Sequence, residues 1–171
     1  RWLGEQLRTK KQKIGIIADW KMSEAVQAEI SGLTEALEGS GSEISWCIYR
    51  RKEQNITERM KEETKADALV ILDPGVLEEF GEQAEHGKYK GAELYGVGYS
   101  LQTVALLDKG NIQGLVVPDG YEIGYKSVKE IAEKIEHKFY KMKGYTTEYQ
   151  IFSKKDFSMD DDLERFLYSY E

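Results

Sequence analysis

Residues 66–132 read ADALVILDPGVLEEFGEQAEHGKYKGAELYGVGYSLQTVALLDKGNIQGLVVPDGYEIGYKSVKEIA. Three short apolar runs lie in this stretch, Leu69–Leu72, Leu94–Val97 and Leu115–Val117, and Asp, Gly or Pro follows each of them. An amphipathic helical pattern comes after every run. This repeated strand–loop–helix order predicts a parallel sheet covered by helices.

The same order extends in both directions from this stretch. Upstream, Lys13–Ala18 and Glu43–Tyr49 are rich in β-branched and aromatic residues and predict two more strands. Downstream, the spacing predicts a helix over Glu122–Lys143, a short strand over Tyr149–Phe152 and a final helix over Met159–Tyr168. The fold class is therefore α/β, a doubly wound, mostly parallel sheet of five to six strands with helices on both faces.

Composition limits the function classes. The 171 residues carry a formal net charge of −7, so a nucleic-acid partner is not expected through this segment. Cys47 is the single cysteine, and neither His86 nor His137 has acidic or thiol neighbours at metal-ligand spacing. We expect no metal site and no cofactor.

The candidate binding residues lie in loops that follow predicted strands. Parallel sheets bind ligands beyond the carboxyl ends of their strands, and these loops are rich in Asp and aromatic side chains. Carboxylates accept hydrogen bonds from hydroxyl groups, and flat rings cover apolar ligand faces, so the set suits a polyhydroxylated ligand. The alternative is that the acids only cap helices and the rings pack on neighbours. The loop candidates are Asp19, Trp20, Asp73, Tyr99, Asp119 and Tyr121.

Signals for an enzyme are weak, and we expect no catalytic residues. No GxGxxG follows a strand, no Gly-Lys-Ser/Thr phosphate loop is present, and there is no Gly-x-Ser-x-Gly elbow. A phospho-receiver domain would need an acidic pair after the first strand and a Lys after the fifth. Only Asp19 is acidic there, and Pro118 stands at the position of the Lys. A small flavodoxin-like enzyme is kept as a minor alternative.

Several segments resemble a known family. ADALVILDP, GAELYGVGYS and LLDKGNIQGLVVPDGYEIGYKSVKEIA resemble the second lobe of type I periplasmic solute-binding proteins, the sugar-binding components of ABC transporters. Lactose-repressor-like regulators are relatives of that family. Lys109-Gly110, Asp119 and Gly124-Tyr125 match its pattern, KIGIIAD and EISGL resemble the entry to the lobe, and YQIFSKKDFS resembles the last segment that recrosses the hinge.

The resemblance implies a non-catalytic lobe that binds a small-molecule solute and closes on it. It implies that the protein has an ABC permease as a partner. It also implies an extracytoplasmic location, either in the periplasm or anchored to the membrane as a lipoprotein. If the chain instead belongs to a lactose-repressor-like regulator, it is an effector-binding domain, it is cytoplasmic, and its DNA-binding part lies outside this chain.

The chain departs from the family at the usual ligand contacts. Glu29 stands where the family often has Arg, Leu72 replaces an Asn, Gly98 replaces an Asp and Pro118 replaces a Gln. Apolar groups in these places would leave sugar hydroxyls unpaired. A modified, cationic or aromatic ligand is thus as compatible as a sugar, and Glu29 with Asp19 would favour a positive group. Alternatively, the site is degenerate and the module senses by protein contact.

The resemblance also implies a domain division. Residues 1–12 are the end of a helix and a linker from a missing first lobe, 13–121 form the ligand-binding lobe, and 122–171 recross the hinge. In the family, the helix that corresponds to Glu122–Lys143 packs on the first lobe. We therefore expect its apolar face to be covered by a second copy of the chain, or by exchange of elements.

Overall fold

The computed structural model of the protein describes residues 1–19, 23–50, 55–155 and 157–158. Helices and strands alternate along nearly all of this length, as the sequence predicts. The predicted final helix, Met159–Tyr168, lies outside the described residues. In chain order the elements are α1 (Trp2–Leu7), β1 (Lys13–Ala18), α2 (Glu24–Leu37), β2 (Glu43–Tyr49), α3 (Ile56–Met60), β3 (Ala68–Ile71), α4 (Pro74–Glu85), β4 (Glu93–Val97), α5 (Leu101–Asp108), β5 (Gly114–Pro118), α6 (Gly120–Glu136) and β6 (Tyr149–Ser153).

The described strands form one sheet in the order β2-β1-β3-β4-β5-β6. All neighbouring strands are parallel except β6, which runs antiparallel to β5. The central strand β3 pairs on both sides, with Val70 opposite Ile16 of β1 and Tyr95 of β4. This arrangement confirms the α/β, doubly wound, mostly parallel fold.

The two faces of the sheet carry separate cores because successive side chains of a strand point to opposite faces. On one face, α1 and α2 pack on residues such as Ile16 and Val70. On the other, α4 and α5 pack on residues such as Leu69 and Ile71, so β3 is buried on both sides. Local capping starts several of the helices: Ser23 caps α2 and Asn55 caps α3, as their sequence positions predict.

One glycine on β4 allows close packing of the central strands. A Cβ added to Gly96 would clash with the backbone carbonyl oxygen of Ile71 on β3 and crowd the Leu77 side chain of α4. Any other residue here would push β4 and β3 apart.

Helix α6 differs from the sequence prediction. It ends at Glu136, not at Lys143, and Glu130 is its only buried residue. The segment that follows turns back on the helix: the carboxylate of Glu130 accepts hydrogen bonds from the Tyr140 hydroxyl at 2.8 Å, the Tyr145 hydroxyl at 2.7 Å and the Lys143 amide at 2.6 Å. These bonds favour the turn over further helix. The predicted apolar face is exposed, from 43 % for Ile123 to 78 % for Ile135.

Among the described helices, none is long and apolar enough to cross a membrane.

Candidate functional site

Most of the loop candidates lie along one edge of the sheet. Asp19 follows β1, Asp73 follows β3, Tyr99 follows β4, and Asp119 and Tyr121 follow β5. Because these four strands are parallel, their carboxyl ends meet at the same edge. Trp20 lies outside the described residues.

An arginine connects two of the acids. Asp73 is buried at the N-cap of α4, where its Oδ1 accepts a hydrogen bond from the Val76 amide at 3.0 Å. Its Oδ2 lies 2.9 Å from Nη1 of Arg50, and Nε of Arg50 lies 3.8 Å from Oδ1 of Asp19. Both oxygen atoms of Asp73 therefore already have partners within the chain.

The remaining loop candidates are more open. Asp119 caps α6, with its Oδ1 accepting a hydrogen bond from the Glu122 amide at 2.7 Å. Tyr99 and Tyr121 are each 55 % exposed, and the Tyr121 ring stacks on Tyr125 with ring centroids 6.2 Å apart. Two exposed rings at the edge offer flat surface to a ligand or to another protein.

A groove of about 420 Å³ opens beside this edge, on the face of the sheet that carries α1 and α2. Its size falls within the range of small-molecule sites. Side chains of β3, β4 and β5 and of the residues just after β3 form its floor, α1 and α2 form one wall, and residues 147–149 form the other. The floor consists of Val70, Leu72, Val97, Val116 and Pro118.

Of the predicted site residues that the structure describes, Glu29 alone lines the groove. Its side chain is partly buried on α2, and burial raises the pKa of its carboxyl above the ordinary value. Within the described part of the chain, no hydrogen bond or ion pair is made by this carboxylate. A partly desolvated acid that makes no ion pair among the described residues, beside an apolar floor, is a natural position for a ligand contact.

Three of the four positions where the chain departs from the family's ligand contacts meet in the groove. Glu29, Leu72 and Pro118 all line it, and Val97 lines it beside the fourth position, Gly98. The positions at which the chain departs from the family pattern therefore lie in the groove or next to a residue that lines it. The floor residues Val70 and Val116 were not among the candidates named from the sequence. Each lies two residues before Leu72 or Pro118, and side chains two residues apart on a strand share a face, so the spacing could have indicated them.

The described residues hold no cluster of three or more His, Cys, Asp or Glu side chains that could bind a metal ion.

No protein-family model matches the chain, and neither does any curated protein. Solved structures do match it. A glucose-galactose binding protein, GanP from Geobacillus stearothermophilus, aligns with a TM-score of 0.72 at 22 % identity, over 91 % of this chain and 59 % of that one. A carbohydrate transporter solute binding protein from Agrobacterium radiobacter, in complex with D-arabinose, aligns with a TM-score of 0.74 at 17 % identity, over 99 % and 63 %.

This is the type I periplasmic-binding-protein fold. The periplasmic-binding-protein fold is also that of a putative LacI transcriptional regulator from Bacteroides fragilis, which aligns with a TM-score of 0.67 at 13 % identity, over 96 % of this chain and 58 % of the regulator. The resemblance stated from the sequence is confirmed at the level of the fold. The chain spans about three-fifths of the length of these proteins.

Proposed function

We propose that this chain is the ligand-binding lobe of an extracytoplasmic solute-binding protein of an ABC-type transporter, with a sugar or related small polar molecule as its solute and no catalytic step. The observation that carries the proposal is the groove at the carboxyl ends of β3, β4 and β5, in a fold shared with a glucose-galactose binding protein and a D-arabinose complex. Five residues proposed from the sequence follow strands that end at this edge: Asp19, Asp73, Tyr99, Asp119 and Tyr121.

The proposed mechanism is closure of two lobes over the solute. The edge loops and the groove form one jaw, and a first lobe outside this chain forms the other. Residues 1–12 and 122–171 then serve as the connections across the hinge, on either side of the lobe formed by 13–121. The exposed apolar face of α6 supports this division, because a face of that kind needs a cover.

The second candidate is the effector-binding domain of a lactose-repressor-like regulator. The match to a LacI regulator supports it, since the same fold covers 96 % of this chain. The two candidates differ in location: a solute-binding protein is extracytoplasmic, in the periplasm or anchored as a lipoprotein beside an ABC permease, and a regulator is cytoplasmic. Fractionation of cells that express the full-length protein separates them.

A thermal-shift screen of the full-length protein tests binding directly. The screen contains D-glucose, D-galactose, D-arabinose, polyamines and nucleosides. A ligand of the native state adds RT ln(1 + [L]/Kd) to the free energy of unfolding, about 2.7 kcal/mol at a hundredfold excess over Kd. We expect at least one compound to raise the melting temperature in proportion to the logarithm of its concentration. A flat response across the whole screen would contradict the proposal.

A further inference from the structure

We propose that the groove selects a small organic cation with an apolar or aromatic body, such as an arylalkylamine, in preference to a sugar. This inference rests on the proposed function for the binding event itself and names the chemical class of the solute.

The side chains of the groove floor offer no hydrogen-bond partners to the hydroxyl groups of a sugar. All five of its side chains lack hydrogen-bonding groups: Val70, Leu72, Val97, Val116 and Pro118. A pyranose hydroxyl buried without a hydrogen-bond partner lowers the affinity, and a sugar would bury several hydroxyls against this floor. A hydrocarbon or aromatic body gains affinity there because it removes apolar surface from water.

The walls add aromatic surface. Trp2 of α1 and Tyr149 at the start of β6 both line the groove. Aromatic side chains pack well on ligand rings and attract cations through their faces. The groove volume of about 420 Å³ suits a ligand of one or two rings.

The charge of the groove is set by acids. Glu29 lines it from α2, and Glu148 lines it from the opposite wall. Burial raises the pKa of the Glu29 carboxyl. Arg1 is the one basic side chain among the lining residues, and its Nε lies 3.5 Å from Oε1 of Glu5. An ammonium group in the groove would supply the partner that Glu29 lacks within the described residues.

Isothermal titration calorimetry on the full-length protein tests this inference with three probes. The cation is 2-phenylethylamine, its neutral analogue is 2-phenylethanol, and D-arabinose represents the sugars. We expect the amine to bind about 10-fold or more tightly than the alcohol, since a charge-assisted hydrogen bond contributes about 1.5–3 kcal/mol. Glu29→Gln should remove this difference in affinity between the amine and the alcohol.

A matched control is Glu35→Gln. Glu35 is an exposed acid on the same helix and does not line the groove, so its loss removes the same charge without touching the site. Equal affinity for amine and alcohol, or an amine preference that survives Glu29→Gln, would overturn the inference.

D-Arabinose separates this inference from the proposed function. Binding of the sugar without the amine would overturn the cationic ligand and leave the solute-binding function standing. Binding of none of the three probes would overturn the cationic ligand, whereas the solute-binding function is overturned only by a flat response across the whole thermal-shift screen.

Discussion

Replacement of Asp73 separates its structural role from a role in binding. Asp73→Ala removes both the N-cap of α4 and the partner of Arg50, whereas Asp73→Asn removes only the charge and keeps an oxygen that can cap the helix. Asn is among the best N-cap residues, so the two substitutions differ mainly in the bond to the Val76 amide.

The structure sets the size of the expected effects. Loss of an N-cap oxygen costs about 0.5–2 kcal/mol of stability. The ion pair is worth less, about 0–1 kcal/mol, because the Arg50 side chain is 50 % exposed even though that of Asp73 is only 8 % exposed. We therefore expect the free energy of unfolding to fall by about 0.5–3 kcal/mol in Asp73→Ala and by at most about 1 kcal/mol in Asp73→Asn.

Urea unfolding followed by circular dichroism measures both values. Asp119 is the matched control, since it caps α6 in the same way and has no ion pair among the described residues. Asp119→Ala should lower stability, and Asp119→Asn should not. If Asp73→Asn lowers the free energy of unfolding as much as Asp73→Ala does, the N-cap bond to the Val76 amide is not the main contribution of Asp73 to stability.

The Asp73→Asn variant also tests the binding prediction made from the sequence. A carboxylate that accepts a hydrogen bond from the solute as well would lose affinity in this variant while the protein stays folded. An unchanged affinity would leave Asp73 with a structural role alone.

Three further predictions address the fold. Gly96→Ala should lower the free energy of unfolding by about 1–3 kcal/mol, since the new methyl group meets the Ile71 carbonyl; a chemical melt that matches wild type would contradict this. Hydrogen bonds from Tyr145, the Lys143 amide and Tyr140 hold the pKa of the Glu130 carboxyl below its ordinary value of 4.5. These bonds are therefore fully present above pH 4.5, and they are lost as the pH falls through the lowered pKa. The protection factors for amide hydrogen exchange over residues 138–147, which compare each rate with the intrinsic rate at the same pH, should therefore fall in acid, and Glu130→Gln should abolish that fall; the same acid response in the variant would refute the assignment. Finally, we expect the 171-residue chain to self-associate through α6, because the apolar face of this helix is exposed. In light scattering the double variant Ile131→Ser/Ile135→Ser should be monomeric. A monomeric wild-type chain at high concentration would argue against this interface.

The order of elements could be predicted because each has local signals. Ser23 and Asn55 cap their helices from positions just before an apolar helical pattern, and Pro74 stands at the first position of α4. The end of α6 could not be predicted in this way. Apolar spacing continues to Phe139, but the buried carboxylate of Glu130 holds the following segment in a turn, and that set of contacts depends on tertiary structure.

The candidate site could be predicted only in part. Parallel topology placed Asp19, Asp73 and Asp119 at one edge of the sheet, but the contact of Arg50 with Asp73 joins loops that follow β2 and β3, with β1 between them. The groove depends on which part of the sheet face α1 and α2 leave open, and strand periodicity alone does not contain that information. Glu29 stays a prediction as a ligand contact; it became a candidate because its charge departs from the family pattern.

Amide chemical-shift mapping of the full-length protein, titrated with a solute that stabilises it in the thermal screen, tests the central claim most directly. We predict that the largest chemical-shift changes fall on α2 around Glu29 and on the carboxyl ends of β3, β4 and β5, which border the groove. Shifts confined to the opposite face, around α4 and α5, would contradict it.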